Sequence, residues 1–147
     1  MEQLKILFEQ FTGEQPLSIE ELPSSGSNRR YFRIKGEKRS LIGAKGTCVD
    51  ENIAFIKIAD HFRKQGLNVP QVYNRSEDNI YYLQEDLGDD TLYRRITQGR
   101  ESGKYSHQEK ELLLKTIRKL PAIQFDGAKG LDFSVCYPQP EFDERMI

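Results

Sequence analysis

Between Leu22 and Lys45 a short polar loop interrupts residues that favour β structure, and its chemistry suits an anion. Ser24, Ser25, Gly26, Ser27 and Asn28 have small side chains, and Gly26 widens the range of backbone conformations. Backbone N–H groups in such a loop can approach a phosphate closely. With one glycine the loop matches neither G-x-G-x-x-G nor the Walker A pattern, so the same residues also describe an ordinary turn. Lys45 stands just before Gly46, where its ammonium either reaches a phosphate beneath the loop or solvates a strand end. Glu51 and Asp50 sit where a helix should start; there a carboxylate suits the helix dipole, and Glu51 could instead pair with Lys45.

The elements that must position these residues follow from periodicity. Leu4, Leu7, Phe8 and Phe11 recur at helical spacing and Thr12-Gly13 supplies a stop, so a short amphipathic helix opens the chain. Pro16 to Leu22 reads as a first strand, Arg29 to Ile34 as a second and Arg39 to Lys45 as a third, with a tight turn at Gly36-Glu37-Lys38. Glu51 to Gln65 shows a broad apolar helical face ended by Gly66. Leu67 to Tyr73 enters a fourth strand, Asn74 to Asn79 is a polar turn, and Ile80 to Gln84 returns as a fifth strand. A short helix is expected over Thr91 to Ile96, capped by Asp89 or Asp90. A longer one is expected over Ser106 to Gln124, where Ser106 and Glu109 fit a capping box and Pro121 should force a kink or an early end.

Composition excludes several function classes. The chain has 147 residues, 37% hydrophobic and 31% charged, with seven Tyr and eight Phe, enough for one packed domain or one lobe of something larger. A net charge of −1 supplies no field for nucleic acid or an anionic membrane. The N-terminus lacks the apolar core of a signal peptide and no run approaches a membrane span, which reads as a cytoplasmic protein. Cys48 and Cys136 are far apart in sequence, without metal-ligand spacing, and are expected as reduced thiols.

The order helix, three strands, helix, two strands, acidic hinge, helices resembles the small lobe of a protein-kinase-like fold. At the residue level the chain is similar to the aminoglycoside phosphotransferase family, nearest to bacterial sugar kinases that phosphorylate N-acetylmuramate and N-acetylglucosamine at the anomeric position. Ser25-Gly-Ser-Asn-Arg-Arg-Tyr-Phe-Arg-Ile34, Phe62-Arg-Lys-Gln-Gly-Leu-Asn-Val-Pro-Gln-Val72 and Tyr82-Leu-Gln-Glu-Asp-Leu-Gly-Asp89 carry the resemblance. It implies an α+β fold: a kinase-like small lobe over residues 1–88 with a five-stranded antiparallel sheet and flanking helices. Residues 89–147 would then hold hinge-following helices and the start of an incomplete helical large lobe.

The same resemblance implies ATP as cofactor, with the Ser24–Arg30 loop, Ser24, Ser25, Gly26, Ser27 and Asn28 foremost, over its phosphates, Lys45 steadying them, and backbone at Glu85 and Leu87 on the adenine edge. Ile34, Ile42 and Leu83 read first as core residues that could also supply apolar walls. The register leaves either Ala44 or Lys45 at the family's basic third-strand position, and Glu51 lies about one helical turn before the expected acidic partner. Asp86-Leu87-Gly88 imitates the kinase metal motif, but directly after a hinge strand it reads as a helix cap or solvated turn.

No His-x-Asp-x-x-x-x-Asn loop occurs, so catalytic residues and Mg2+ ligands are expected outside this chain and the chain alone is expected to be inactive. The implied partners are ATP and a small sugar, with no nucleic acid or membrane, and the exposed apolar face of the Ser106–Gln124 helix could make the chain self-associate. A non-catalytic kinase-like binding or regulatory module, or an α+β interaction domain, fits the same residues.

Overall fold

The computed structural model describes residues 1–23 and 28–141, so Ser24, Ser25, Gly26 and Ser27 lie outside the described residues. Among those described, the chain is α+β, with one five-stranded antiparallel sheet and five α-helices. The elements are α1 (Glu2–Thr12), β1 (Ser18–Glu21), β2 (Arg30–Lys35), β3 (Ser40–Lys45), α2 (Val49–Lys64), β4 (Val72–Arg75), β5 (Tyr81–Glu85), α3 (Leu92–Arg95), α4 (Thr97–Ser102) and α5 (His107–Ile117). No described helix is long and apolar enough to cross a membrane.

The chain divides into two compact units, one of Met1–Asp86 with the chain from Leu131 on, the other of Leu87–Gly130. The tail after Leu131 thus groups with the sheet, whereas the sequence assigned it to the second domain. Its 3-10 turn, Phe133–Val135, packs beside α2, where Asp132, Ser134 and Tyr137 share a cleft with Asp50, Ile53 and Lys57.

In the first unit the strand order is β1-β2-β3-β5-β4. Leu4, Leu7 and Phe8 of α1 pack against Phe32, Ile34, Leu41 and Leu83, all buried. Close approach of α1 depends on Gly43, where an added Cβ would stand 2.9 Å from Ile34 Cδ1 and 2.9 Å from Leu4 Cδ2. Ile34 and Leu83 belong to this core, as the sequence suggested. Just before β1, Leu17 is 70% exposed, and Ile19 of β1 packs on the core.

The opposite face of the sheet receives α2, whose Phe55 ring lies 5.3 Å from that of Tyr82. Fully buried Asn52 fixes the start of this helix. Its Nδ2 donates to Gly46 O at 2.9 Å and to Asn79 O at 2.8 Å, tying the β3–α2 connection to the β4–β5 turn. Helix α2 begins two residues earlier than its apolar pattern suggests and ends at the glycine the sequence marks, Gly66 having φ +76°. Strand β4 runs on to Arg75 past an irregularity between Val72 and Asn74, shortening the expected turn.

The second unit corrects one expectation and meets another. Thr91, not Asp89 or Asp90, caps α3 by accepting from Arg94 N at 3.3 Å, while Asp90 pairs with Arg95 at 2.5 Å. Helix α5 stops at Ile117, ahead of Pro121, and Ala122–Asp126 follow as a π-helical turn. Leu114, Ile117, Leu120, Ile123 and Phe125 are exposed. The capping box is complete: Ser106 Oγ accepts from Glu109 N at 3.3 Å, and Glu109 Oε2 accepts from Ser106 N at 2.8 Å.

Glu109 Oε1 also accepts from Gly99 N at 2.7 Å, binding α4 to the start of α5. The Ser106 and Gly99 amides hold its carboxyl below the ordinary value of 4.5. A group depressed in the folded state stabilises above its unfolded pKa and loses that contribution as pH falls through its folded one. Helicity of this corner should therefore decline on acidification below the ordinary carboxylate range. In Glu109→Gln this component of the circular-dichroism titration should be missing, with lower helicity at neutral pH.

Candidate functional site

The pleat of β2 sends alternate residues to opposite faces. Phe32 and Ile34 point into the α1 core, so Tyr31 and Arg33 belong to the other face. The register carries this division across the sheet: Tyr31 is opposite Ala44 and Ala44 opposite Tyr82, while Arg33 is opposite Ile42 and Ile42 opposite Gln84. One surface of the first unit thus has an apolar middle, Ile42 and Ala44, between polar groups at its two ends.

At the end where β2 begins, Arg29 turns onto α2. Its Nη2 lies 3.0 Å from Glu51 O and 3.1 Å from Glu51 Oε1, and its guanidinium carbon is 5.1 Å from the centroid of Phe55. The side chain retains 10% exposure, so the charge is held in a low-dielectric setting and fixed by the aromatic ring as well as the carboxylate. Beside it, Tyr82 is fully buried and its Oη has no hydrogen-bond partner among the described residues. Burial raises the Tyr82 pKa above the phenolic value and neighbouring Tyr31 adds to the rise, while Arg29 acts in the opposite sense. Tyr82 therefore stays a neutral hydroxyl.

At the end where β5 leaves the sheet, Arg33 meets Asp86 in a two-point contact, Nε to Oδ2 at 2.8 Å and Nη2 to Oδ1 at 3.0 Å. Ser40 Oγ donates to the same Oδ2 at 2.5 Å. Side-chain exposures of 15% for Arg33 and 9% for Asp86 make this an interior ion pair. Asp86 is therefore neither a helix cap nor a solvated turn. It clamps the end of β5 to β2 across β3.

The sequence-derived site residues are only partly brought together. Lys45 lies on the α1 face, its Nζ 5.7 Å from the centroid of Tyr81, which packs against the α1 core. The Lys45–Glu51 pair is absent from the ion pairs of the described residues, and the Glu51 carboxylate meets Arg29. Asn28 is exposed. Glu85 ends β5 with its amide donating to Gln71 O at 2.8 Å, and its carboxylate accepts from Gln71 N at 3.2 Å. Leu87, 66% exposed, is the first residue of the second unit.

Sequence reasoning placed Arg29 in the loop over the phosphates but missed its contact with α2, and it missed the Arg33–Asp86 pair. Counting by twos from Phe32 would have set Arg29, Tyr31 and Arg33 on the face away from the apolar core. Nothing local announces Asp86, whose partner is 53 residues distant. Among the described residues no group of three His, Cys, Asp or Glu is arranged to hold a metal. No protein-family model matches this chain, and no curated protein matches it.

Removing one partner of an interior ion pair leaves the other charge desolvated without compensation. Asp86→Leu should lower the unfolding free energy by about 3 kcal/mol. Replacing both partners, as in Arg33→Met with Asp86→Leu, should recover most of that loss. Urea unfolding of the two single variants and the double variant measures the coupling directly.

Proposed function

We propose that this chain is the nucleotide-binding half of an ATP-dependent phosphotransferase acting on a small hydroxylated substrate, an amino sugar by the resemblance of its three motif stretches. The observation that supports this best is the gradient along one face of the first unit. Ile42, 7% exposed, and buried Ala44 form an apolar floor, the Arg33–Asp86 clamp lies at the end where β5 leaves, and Arg29 lies at the end where β2 begins. Arg29 and Arg33 are four strand residues apart, about 13 Å at a strand's rise per residue. Such a span suits an extended ligand that is apolar and planar at one end and anionic at the other, which is the shape of a nucleoside triphosphate.

In this reading the base lies over Ile42, where an apolar side chain excludes water from its faces. On the same reading the Glu85 carbonyl accepts from an adenine amine, while the Glu85 amide stays engaged with Gln71. Phosphates extend toward the end of the sheet where β2 begins. Phosphoryl transfer is chiefly positioning and electrostatic stabilisation, and the chain's share is to hold the donor in line. Mg2+ would supply charge neutralisation at the phosphates; the described residues offer no ligand cluster for it, so no step through the metal is assigned to them.

The 147-residue chain should bind ATP and adenosine in isothermal titration calorimetry without turning ATP over. Ile42→Ala should weaken both ligands by about fivefold to tenfold, as expected for losing part of an apolar contact. Absence of binding by either ligand at millimolar concentration would refute the reading, as would an Ile42→Ala variant that binds like the wild type.

A further inference from the structure

The nucleotide reading expects a cation near the phosphates, and the third-strand lysine does not face that way. Lys45 is paired across the strands with Tyr81 and shares its face with Leu41 and Gly43, against which α1 packs. On the opposite face the corresponding third-strand residue is Ala44, which has no charge to contribute. Among the described residues at that end of the face, the cation is Arg29.

Three observations suit Arg29 to the task. It is fixed rather than free to wander, with Glu51 O and Oε1 at 3.0 and 3.1 Å and the Phe55 ring beneath it. It is 10% exposed, so its charge is weakly screened and acts strongly on an anion beside it. Tyr82, wholly buried and kept neutral by that burial, sets a hydroxyl next to it. A guanidinium presents several N–H groups in one plane and can donate to more than one acceptor at once.

We propose that Arg29, held by Glu51 against Phe55, is the residue that contacts the phosphates of the bound nucleotide, in the place that a third-strand lysine would otherwise take. Glu51 is then a positioning residue: it pairs with the cation contributed by the end of the loop instead of one contributed by β3. This rests on the nucleotide reading above, and the ligand chemistry it specifies is a polyphosphate rather than a base or a sugar.

Calorimetry with ATP, adenosine and inorganic tripolyphosphate on the 147-residue chain separates the two ideas. Arg29→Gln should lose about tenfold or more of its affinity for ATP, the loss of a charge-assisted contact, while adenosine changes less than about twofold. Tripolyphosphate should compete with ATP on the wild type and cease to compete on this variant. Arg29→Lys keeps the charge without the fork and should lose about threefold to tenfold for ATP alone. Lys45→Gln should stay within about twofold for both ligands, its charge lying on the α1 face. The proposal is overturned if Arg29→Gln binds ATP normally, if it loses adenosine equally, or if Lys45→Gln takes the ATP-specific loss; in these cases wild-type ATP binding still supports the nucleotide reading. If Arg29→Gln fails to fold, Arg29→Lys decides, and unchanged ATP affinity there overturns the assignment. Wild-type protein that binds neither ATP nor adenosine refutes the nucleotide reading and this assignment with it.

Discussion

The two-residue period of β2 and β3 is the constraint on which the first unit depends. Phe32, Ile34, Leu41 and Gly43 face α1, where Leu4 and Phe8 pack onto them. Once that face is fixed, Tyr31, Arg33, Ile42 and Ala44 are committed to the other. A slip of one residue would exchange the two sets and place arginine in the hydrophobic core. Lys35 pairs with Ser40, and Gly36 N donates to Arg39 O at 2.8 Å, so the β2–β3 connection supports the register that the core demands. The face bearing the candidate site is thus a consequence of how the core is built.

Charge on that face is managed by pairing. Arg33 with Asp86 and Arg29 with Glu51 sit at opposite ends, and the surroundings of Arg29, Arg33 and Asp86 would penalise an isolated charge. Neither pair is an argument for high stability, since apolar replacements of similar size often serve as well. What they provide is placement. Asp86 fastens the last residues of β5 to β2 and Ser40, and Glu51 brings the start of β2 onto α2. Asn52 does a comparable job with uncharged groups, joining Gly46 and Asn79 through one amide.

Local patterns made most of the architecture legible. Leu4, Leu7 and Phe8 marked α1, alternating residues marked the strands, Gly66 marked the end of α2, and Ser106 with Glu109 marked the start of α5. What escaped was set by tertiary contacts or by competition among near-equivalent groups. Thr91, Asp90 and Asp89 are all capable caps, and Asp90 is taken by Arg95, leaving the cap to Thr91. The Asp86 contact spans 53 residues, beyond any periodicity argument. Lys45 looked suitable because it is a lysine at a strand end. Its orientation follows only from joining the alternation to the register, and these turn it toward Tyr81.

The central claim is that ligand binding belongs to the Tyr31–Arg33–Ile42–Ala44 face and not to the α1 face. Methyl NMR tests it most directly, since Ile42 and Ala44 report on one face and Ile34, Leu41 and Leu83 on the other. On titration with Mg-ATP the account predicts saturable shifts at Ile42 and Ala44, with Ile34, Leu41 and Leu83 nearly still. Shifts confined to Ile34, Leu41 and Leu83, or no saturable shift at Ile42 while ATP binds, would contradict it.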